Sequence, residues 1–343
     1  MTYAEQLDHD LVAWLRDQDP ALVWQVERDL LDLPENRWQA TRRRVPHEGM
    51  AARLLALQDD DGQWASGAYF PAKHRADAYV HRDGEEPGGQ PWTATTWSLK
   101  DLREWGVPAA TLGDTADRLA ASSRWEYDDL PYWDGEVDVC INGWTLATGA
   151  WLGVDVGGLE QWFVEHQLAD GGWNCEWVEG STRSSFHSTL NAVDCLRQHE
   201  EIRRTRGEAE ADYPVELRQA RRRGEEHLLE RHLLYRLSDG EVVGEFATRM
   251  AYPYRWAYRV LRALDCFRAA AQLDGTTPDP RLADAVAMVR DARAADGTWI
   301  QEWRFPGAVW FEPDVAPGQP SPWLTLHALR ALRWWDEANP TAA

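Results

Sequence analysis

Apolar residues along the chain recur at helical spacing, in two kinds of stretch. Five stretches carry a single apolar stripe, near 49–57, 110–121, 158–167, 215–233 and 281–293. Five others, near 92–105, 138–152, 184–199, 254–271 and 321–336, carry apolar and small residues on more than one face. A striped helix sits at the periphery of a protein, and one that is apolar nearly all round is buried. The two classes therefore predict outer and inner helices that alternate along the chain. A further helix is expected near 8–31. Strand-like period-two runs are nearly absent, so the pattern predicts an all-α protein.

Three seven-residue segments punctuate these helices: Gln58-Asp-Asp-Asp-Gly-Gln-Trp64, Gln167-Leu-Ala-Asp-Gly-Gly-Trp173 and Arg293-Ala-Ala-Asp-Gly-Thr-Trp299, the last with Arg in place of Gln. Each follows an amphipathic stretch. A helix ends, Asp-Gly turns the chain with Gly in a conformation closed to other residues, and Trp folds back as an apolar plug. The Gln amide is placed to tie the turn's backbone. Two inner helices also align without gaps, Ser184 to Leu196 with Arg255 to Phe267, which sets His187 level with Tyr258. The alternation makes five or six helix hairpins. Such hairpins stack into an open superhelix or close into a ring, and irregular repeats in a chain of 343 residues fit the closed ring better, a single (α/α)5–6 toroid over residues 1–343 with a charged insert at about 200–215.

The Gln-x-x-Asp-Gly-x-Trp turn resembles the repeat of squalene–hopene cyclases and of protein prenyltransferase β-subunits, the α/α-toroid terpenoid-cyclase-like group. Its three copies spread the resemblance over most of the chain. A second likeness concerns chemistry. Asp138-Val-Cys140 opens one inner helix and Ser185-Phe-His187 the next, with the second turn between them. This is similar to the prenyltransferase β-subunits, in which an Asp-x-Cys and a Phe/Tyr-His on successive inner helices hold a catalytic zinc. The resemblance implies Asp138, Cys140 and His187 as zinc ligands. A carboxylate, a thiolate and an imidazole suit zinc, and three of them leave a fourth position for water or substrate. Read without the family, Asp138 is a helix cap, Cys140 a small core residue and His187 a hydrogen-bonded core imidazole. The chain departs from the prenyltransferases in Tyr127 to Val137, acidic where they are basic, and in Ile141, where they carry Tyr. Neither the Asp-x-Asp-Asp acid motif of class II cyclases nor an Asp-Asp-x-x-Asp magnesium motif is evident.

Composition narrows the partners. The formal net charge is −21, which disfavours a phosphate-backbone partner, because nucleic-acid binding rests on Lys and Arg. No stretch approaches the roughly 20 apolar residues that cross a bilayer, so stable membrane insertion is not expected. No signal peptide is evident at the N-terminus, and the four cysteines are expected as thiols, which together predict a cytoplasmic protein. The 21 Trp include Trp92, Trp97, Trp144, Trp256 and Trp323 at or near inner-helix starts. Facing a cavity, these form an aromatic wall for an apolar substrate or a cation; packing alone also explains them.

The remaining candidates each have two readings. Cys175 lies just past the second turn, as a fourth ligand, a reactive thiol or an ordinary turn residue. Tyr258 is a general acid or hydrogen-bond donor, or a buried core tyrosine. Glu176 and Asp134 are potential bases, or solvated acids. Arg183 and Arg255 occupy comparable positions before inner helices and are candidates to bind an anionic substrate group. Together these predict a zinc-dependent enzyme acting on a hydrophobic, isoprenoid-type small molecule. The alternatives are a metal-independent cyclase or isomerase working through cavity carboxylates, and a non-catalytic toroid that binds an apolar ligand or a partner protein. A partner subunit is left open.

Overall fold

The structure, a computed structural model, describes residues 7–72 and 90–339. In chain order its α-helices are α1 (His9–Arg16), α2 (Pro20–Asp29), α3 (Glu35–Arg42), α4 (Gly49–Leu55), α5 (Thr95–Glu104), α6 (Thr115–Ser122) and α7 (Val139–Leu152). They continue with α8 (Gly157–Glu165), α9 (Phe186–Thr205), α10 (Val215–Leu229), α11 (Glu245–Thr248), α12 (Val260–Asp274), α13 (Ala283–Asp291) and α14 (Pro322–Ala338). Among the described residues the only named strands are β1 (Trp299–Ile300) and β2 (Pro320–Ser321), an antiparallel pair of two residues each. The chain is all-α, as the hydrophobic pattern predicts. Among the described residues no helix is long and apolar enough to cross a membrane.

All ten helices that the two kinds of stretch predict form, with shifted ends. The expected helix near 8–31 is two helices. Asp17, Gln18 and Asp19 interrupt it, and the Asp19 carboxylate accepts the Ala21 N–H as the cap of α2, with Pro20 in the first helical position. The pattern did not foretell α3, whose sequence is polar. It is held by Trp38 against Trp24, centroids 6.1 Å apart, with the Arg28 and Arg42 guanidiniums over the Trp24 ring. The alignment of Ser184 to Leu196 with Arg255 to Phe267 predicts a shared helix start. Instead α9 begins at Phe186, capped by Ser185, whereas α12 begins only at Val260. Arg255 holds a left-handed backbone at φ 51°, and Pro253 lies just before it, so this stretch stays outside the helix.

The described residues divide into two compact units. One comprises residues 7–50, 228–304 and 313–339; the other comprises 51–72, 90–227 and 305–312. In the second unit α7 is buried at every position but Leu152, the inner helix that its sequence predicts. It packs against α9 closely enough that a Cβ on Gly143 would meet the Cys195 side chain at 3.1 Å. The first unit packs α12 against α13 and α14, and α2 against α3.

The three turns share one hydrogen-bond pattern. The indole N–H of each Trp donates to a carbonyl ten residues earlier: Trp64 to Leu54 at 2.8 Å, Trp173 to Phe163 at 3.0 Å, Trp299 to Val289 at 2.8 Å. The backbone N–H of the same Trp donates to a Thr hydroxyl of the next inner helix, Thr95, Thr189 or Thr325, at 3.1 Å each time. Gly62, Gly171 and Gly297 hold φ near +90°, at 88°, 91° and 86°. The Gln58 and Gln167 amides donate to the Gly62 and Gly171 carbonyls, and Arg293 makes the same contact to Gly297 through Nε. Arg therefore substitutes for Gln without loss of the tie.

Candidate metal centre

Asp138 precedes α7 and caps it: its Oδ1 accepts the Cys140 N–H at 2.8 Å. The loop before it is pinned by Asn142, fully buried, whose amide accepts from the Glu136 N–H and donates to the Glu136 carbonyl, both at 2.7 Å. Gly135, at φ 73°, lets that amide approach, since a Cβ there would overlap the Asn142 side chain. On the other side, the turn ending at Trp173 leads into a short 3-10 helix, Cys175–Glu179. Asn174 caps it, and the Trp177 indole donates to the Val137 carbonyl at 2.8 Å, which fastens this segment to the loop before α7.

These restraints bring Asp138, Cys140 and Cys175 together, with one ligand atom of each lying within 4.8 Å of the others. The Cys175 thiol donates to Asp138 Oδ1 at 2.8 Å, and the two Sγ atoms are 3.5 Å apart. The first two turns of α9 supply the surroundings. The Ser188 hydroxyl donates to Cys175 Sγ at 3.2 Å while accepting the Cys175 N–H at 3.1 Å, and Asn191 Nδ2 donates to Cys140 Sγ at 3.2 Å. Its hydrogen bond with Cys175, and then burial, push the Cys140 thiol well above its usual value. Burial, and then the charge of Asp138, raise Glu136.

The donor chemistry fits a thiophilic cation. In a tetrahedral zinc site with Zn–S of about 2.3 Å, two sulfurs stand roughly 3.8 Å apart. The observed 3.5 Å needs only a small side-chain adjustment. Two thiols and a carboxylate would supply three ligands and leave one position open.

An aromatic group adjoins the cluster. The Tyr69 ring lies 5.1 Å from Trp97 and 6.5 Å from Trp144, stacked at 13° on the latter, and Trp97 and Trp144 are 4.8 Å apart. Trp92 packs edge-on to Trp97 and to Phe305. Both oxygens of Glu126 accept the Tyr69 N–H, and one also accepts that of Phe70, at 3.0–3.2 Å, holding the loop in place. Burial raises the Tyr69 hydroxyl above its ordinary value, a hydrogen bond with Gln90 opposes this, and the charges of Asp138, Cys140 and Cys175 add to it. Tyr69 is therefore a neutral donor beside the cluster. Among the described residues, the buried indole N–H groups of Trp97 and Trp144 have no hydrogen-bond partner.

The other sequence candidates fall elsewhere. The convergent set holds Cys175 and not His187, which is half-buried at the second position of α9, one residue before Ser188. Glu176 and Asp134 are exposed, and so is Arg183, whose carbonyl accepts from Asn174 Nδ2. In the first unit, Tyr258 is fully buried before α12 and its hydroxyl donates to the Leu233 carbonyl at 2.6 Å; Trp256 beside it is half-buried and Arg255 buried. Sequence reasoning missed Tyr69, Ser188 and Asn191. Asn191 carried a signal, a polar residue amid Leu190, Ala192 and Val193 on an inner helix; Tyr69, in a loop without periodicity, carried none.

No protein-family model matches the chain, and no curated protein matches it. Among solved structures it is similar to a protein from Actinoplanes, at 16% sequence identity over 92% of this chain and 90% of that one, with a TM-score of 0.40.

Proposed function

We propose that this chain is a zinc-dependent enzyme that holds its metal through Asp138, Cys140 and Cys175 and acts on a small hydrophobic molecule laid against Tyr69, Trp97 and Trp144. The observation that carries this is the convergence of three ligand atoms within 4.8 Å. Bound zinc supplies a Lewis acid and lowers the pKa of a water or thiol in its open position. The chain's own residues do the rest. Ser188 and Asn191 donate to the sulfurs and so fix their orientation and temper their charge. Tyr69, Trp97 and Trp144 exclude water and offer ring faces to an apolar or cationic group. The buried indole N–H groups are donors for an acceptor atom on the bound molecule. An isoprenoid substrate is what the resemblance to the prenyltransferases implies, and the shared turn geometry supports the α/α-toroid arrangement proposed with it.

Elemental analysis of untreated protein tests the reading. About one zinc per chain is expected, lost in Cys140→Ala and in Cys175→Ala with the helical circular dichroism unchanged. His187→Ala assigns the fourth position: loss of metal makes the imidazole a ligand, and retention leaves that position to water or substrate. Native protein free of metal, or full retention in both cysteine variants, overturns the proposal.

A further inference from the structure

We infer that Cys140 and Cys175 form a redox-active dithiol, a covalent modification site at which a peroxide converts the pair to a disulfide. Four observations place it. The two sulfurs are 3.5 Å apart, so bonding requires an approach of about 1.5 Å toward the ~2.05 Å of an S–S bond. The pair is asymmetric, with Cys175 half-buried and Cys140 only 6% exposed, so an oxidant from solvent meets Cys175 first. The Cys175 thiol donates a hydrogen bond to Asp138 Oδ1 at 2.8 Å, which fixes the direction of its S–H. Ser188 donates a hydrogen bond to Cys175 Sγ and Asn191 one to Cys140 Sγ, which hold the two sulfurs facing each other. Cys195 and Cys266, by contrast, are buried at 1% and 5%.

The chemistry balances with hydrogen peroxide as oxidant. The Cys175 thiol gives up its proton, and the sulfur attacks one peroxide oxygen. The O–O bond breaks, Cys175 becomes a sulfenic acid, and the departing hydroxide leaves as water with that proton. Cys140 Sγ then attacks the Cys175 sulfur, the S–O bond breaks, and a second water leaves with the Cys140 proton. Two thiols and one peroxide give one disulfide and two waters. A disulfide offers no thiolate to a cation, so oxidation and metal binding at this place exclude each other. The dithiol itself needs no metal.

The test is hydrogen peroxide titration of the full-length protein, untreated and after chelation, with free thiols then counted by maleimide labelling in denaturant. In chelated protein the count should fall from four to two, with one crosslinked peptide carrying Cys140 and Cys175, and dithiothreitol should restore all four. Cys140→Ser should accumulate a dimedone-reactive sulfenic acid at Cys175, and Cys175→Ser should leave Cys140 unreacted at peroxide levels that convert the wild type. Crosslinking in a protein that never held metal sinks the zinc reading alone. Chelated wild type that oxidises without a Cys140–Cys175 crosslink overturns the dithiol, and reaction of Cys140 in Cys175→Ser overturns the order of attack. The wild-type crosslink needs no variant to fold.

Discussion

Asp138 Oδ1 accepts both the Cys140 N–H and the Cys175 thiol, so one atom caps a helix and anchors the candidate site. The two duties separate by substitution. Asn caps a helix about as well as Asp, whereas Ala loses roughly 1 kcal/mol. Asp138→Asn should therefore unfold within about 0.5 kcal/mol of wild type in urea while losing metal affinity by at least the roughly 10–100-fold that even an outer-shell group costs. Asp138→Ala should lose both. Equal metal affinity in Asp138→Asn and wild type would remove the carboxylate from the metal's ligands. At this scale the sequence was only partly informative. Asp138 and Cys140 were legible through spacing and resemblance, because both belong to one helix start. Cys175 stood apart in a turn, and its approach to them depends on Asn174 and Trp177, which no periodicity marks.

At the scale of elements, hydrophobic period and turn chemistry located all ten helices that the two kinds of stretch predict, because burial on several faces is written directly into a helix such as α7. What escaped was governed by single contacts: the split between α1 and α2 at Asp19-Pro20, the aromatic anchoring of α3, and the late start of α12. The turns were legible as Gly and Trp. Their Thr partners on the following helices were not, since those lie 16–31 residues further on. Thr189 is the more telling of these partners, since its hydroxyl accepts the Trp173 N–H and donates to the Trp173 carbonyl. Val keeps its shape and strands the Trp173 N–H in a fully buried place, at about 1–3 kcal/mol for an unsatisfied buried group, while the Trp173 carbonyl keeps the Ser185 N–H. Thr189→Val and Thr325→Val should each be destabilised by that amount in urea unfolding, because the two turns share their geometry. A change under about 0.5 kcal/mol in both would show that apolar packing of the Trp, and not the hydroxyl, holds the turn.

For the whole molecule, two electrostatic effects oppose one another. The chain carries 57 Asp and Glu against 36 Lys and Arg, for a net charge of −21, and this excess repels itself across the surface. Salt screens exposed charges beyond about 10 Å at 0.1 M, so added NaCl at neutral pH should raise the thermal midpoint. Lowering the pH also removes negative charge, but it reaches the paired carboxylates too. In the first unit Arg330 donates to Asp265 and to Asp29, and Arg268 donates to Asp265 at 2.8 Å. Burial alone would raise Asp265; Arg268 and Arg330 outweigh it and hold the carboxyl below its usual range. Asp29 is lowered as well, its burial outweighed by Arg28 and Arg330. A carboxylate depressed in the folded state contributes stability that is present above its unfolded value, about 3.9 for Asp, and is lost as the pH falls below that toward the folded value. Relief of surface repulsion therefore governs the response to salt at pH 7, and loss of these buried pairs governs the response to acid below about pH 4. Asp265→Asn should cost about 3–5 kcal/mol at neutral pH, the cost of breaking a buried pair, and little of that cost should disappear in salt. The gap between variant and wild type should instead narrow as both are acidified. Calorimetry over a grid of salt and pH decides it. A gap that closes with salt at pH 7 would place Asp265 among the surface charges, and one that stays constant down to pH 3 would mean that its carboxylate is not depressed in the fold.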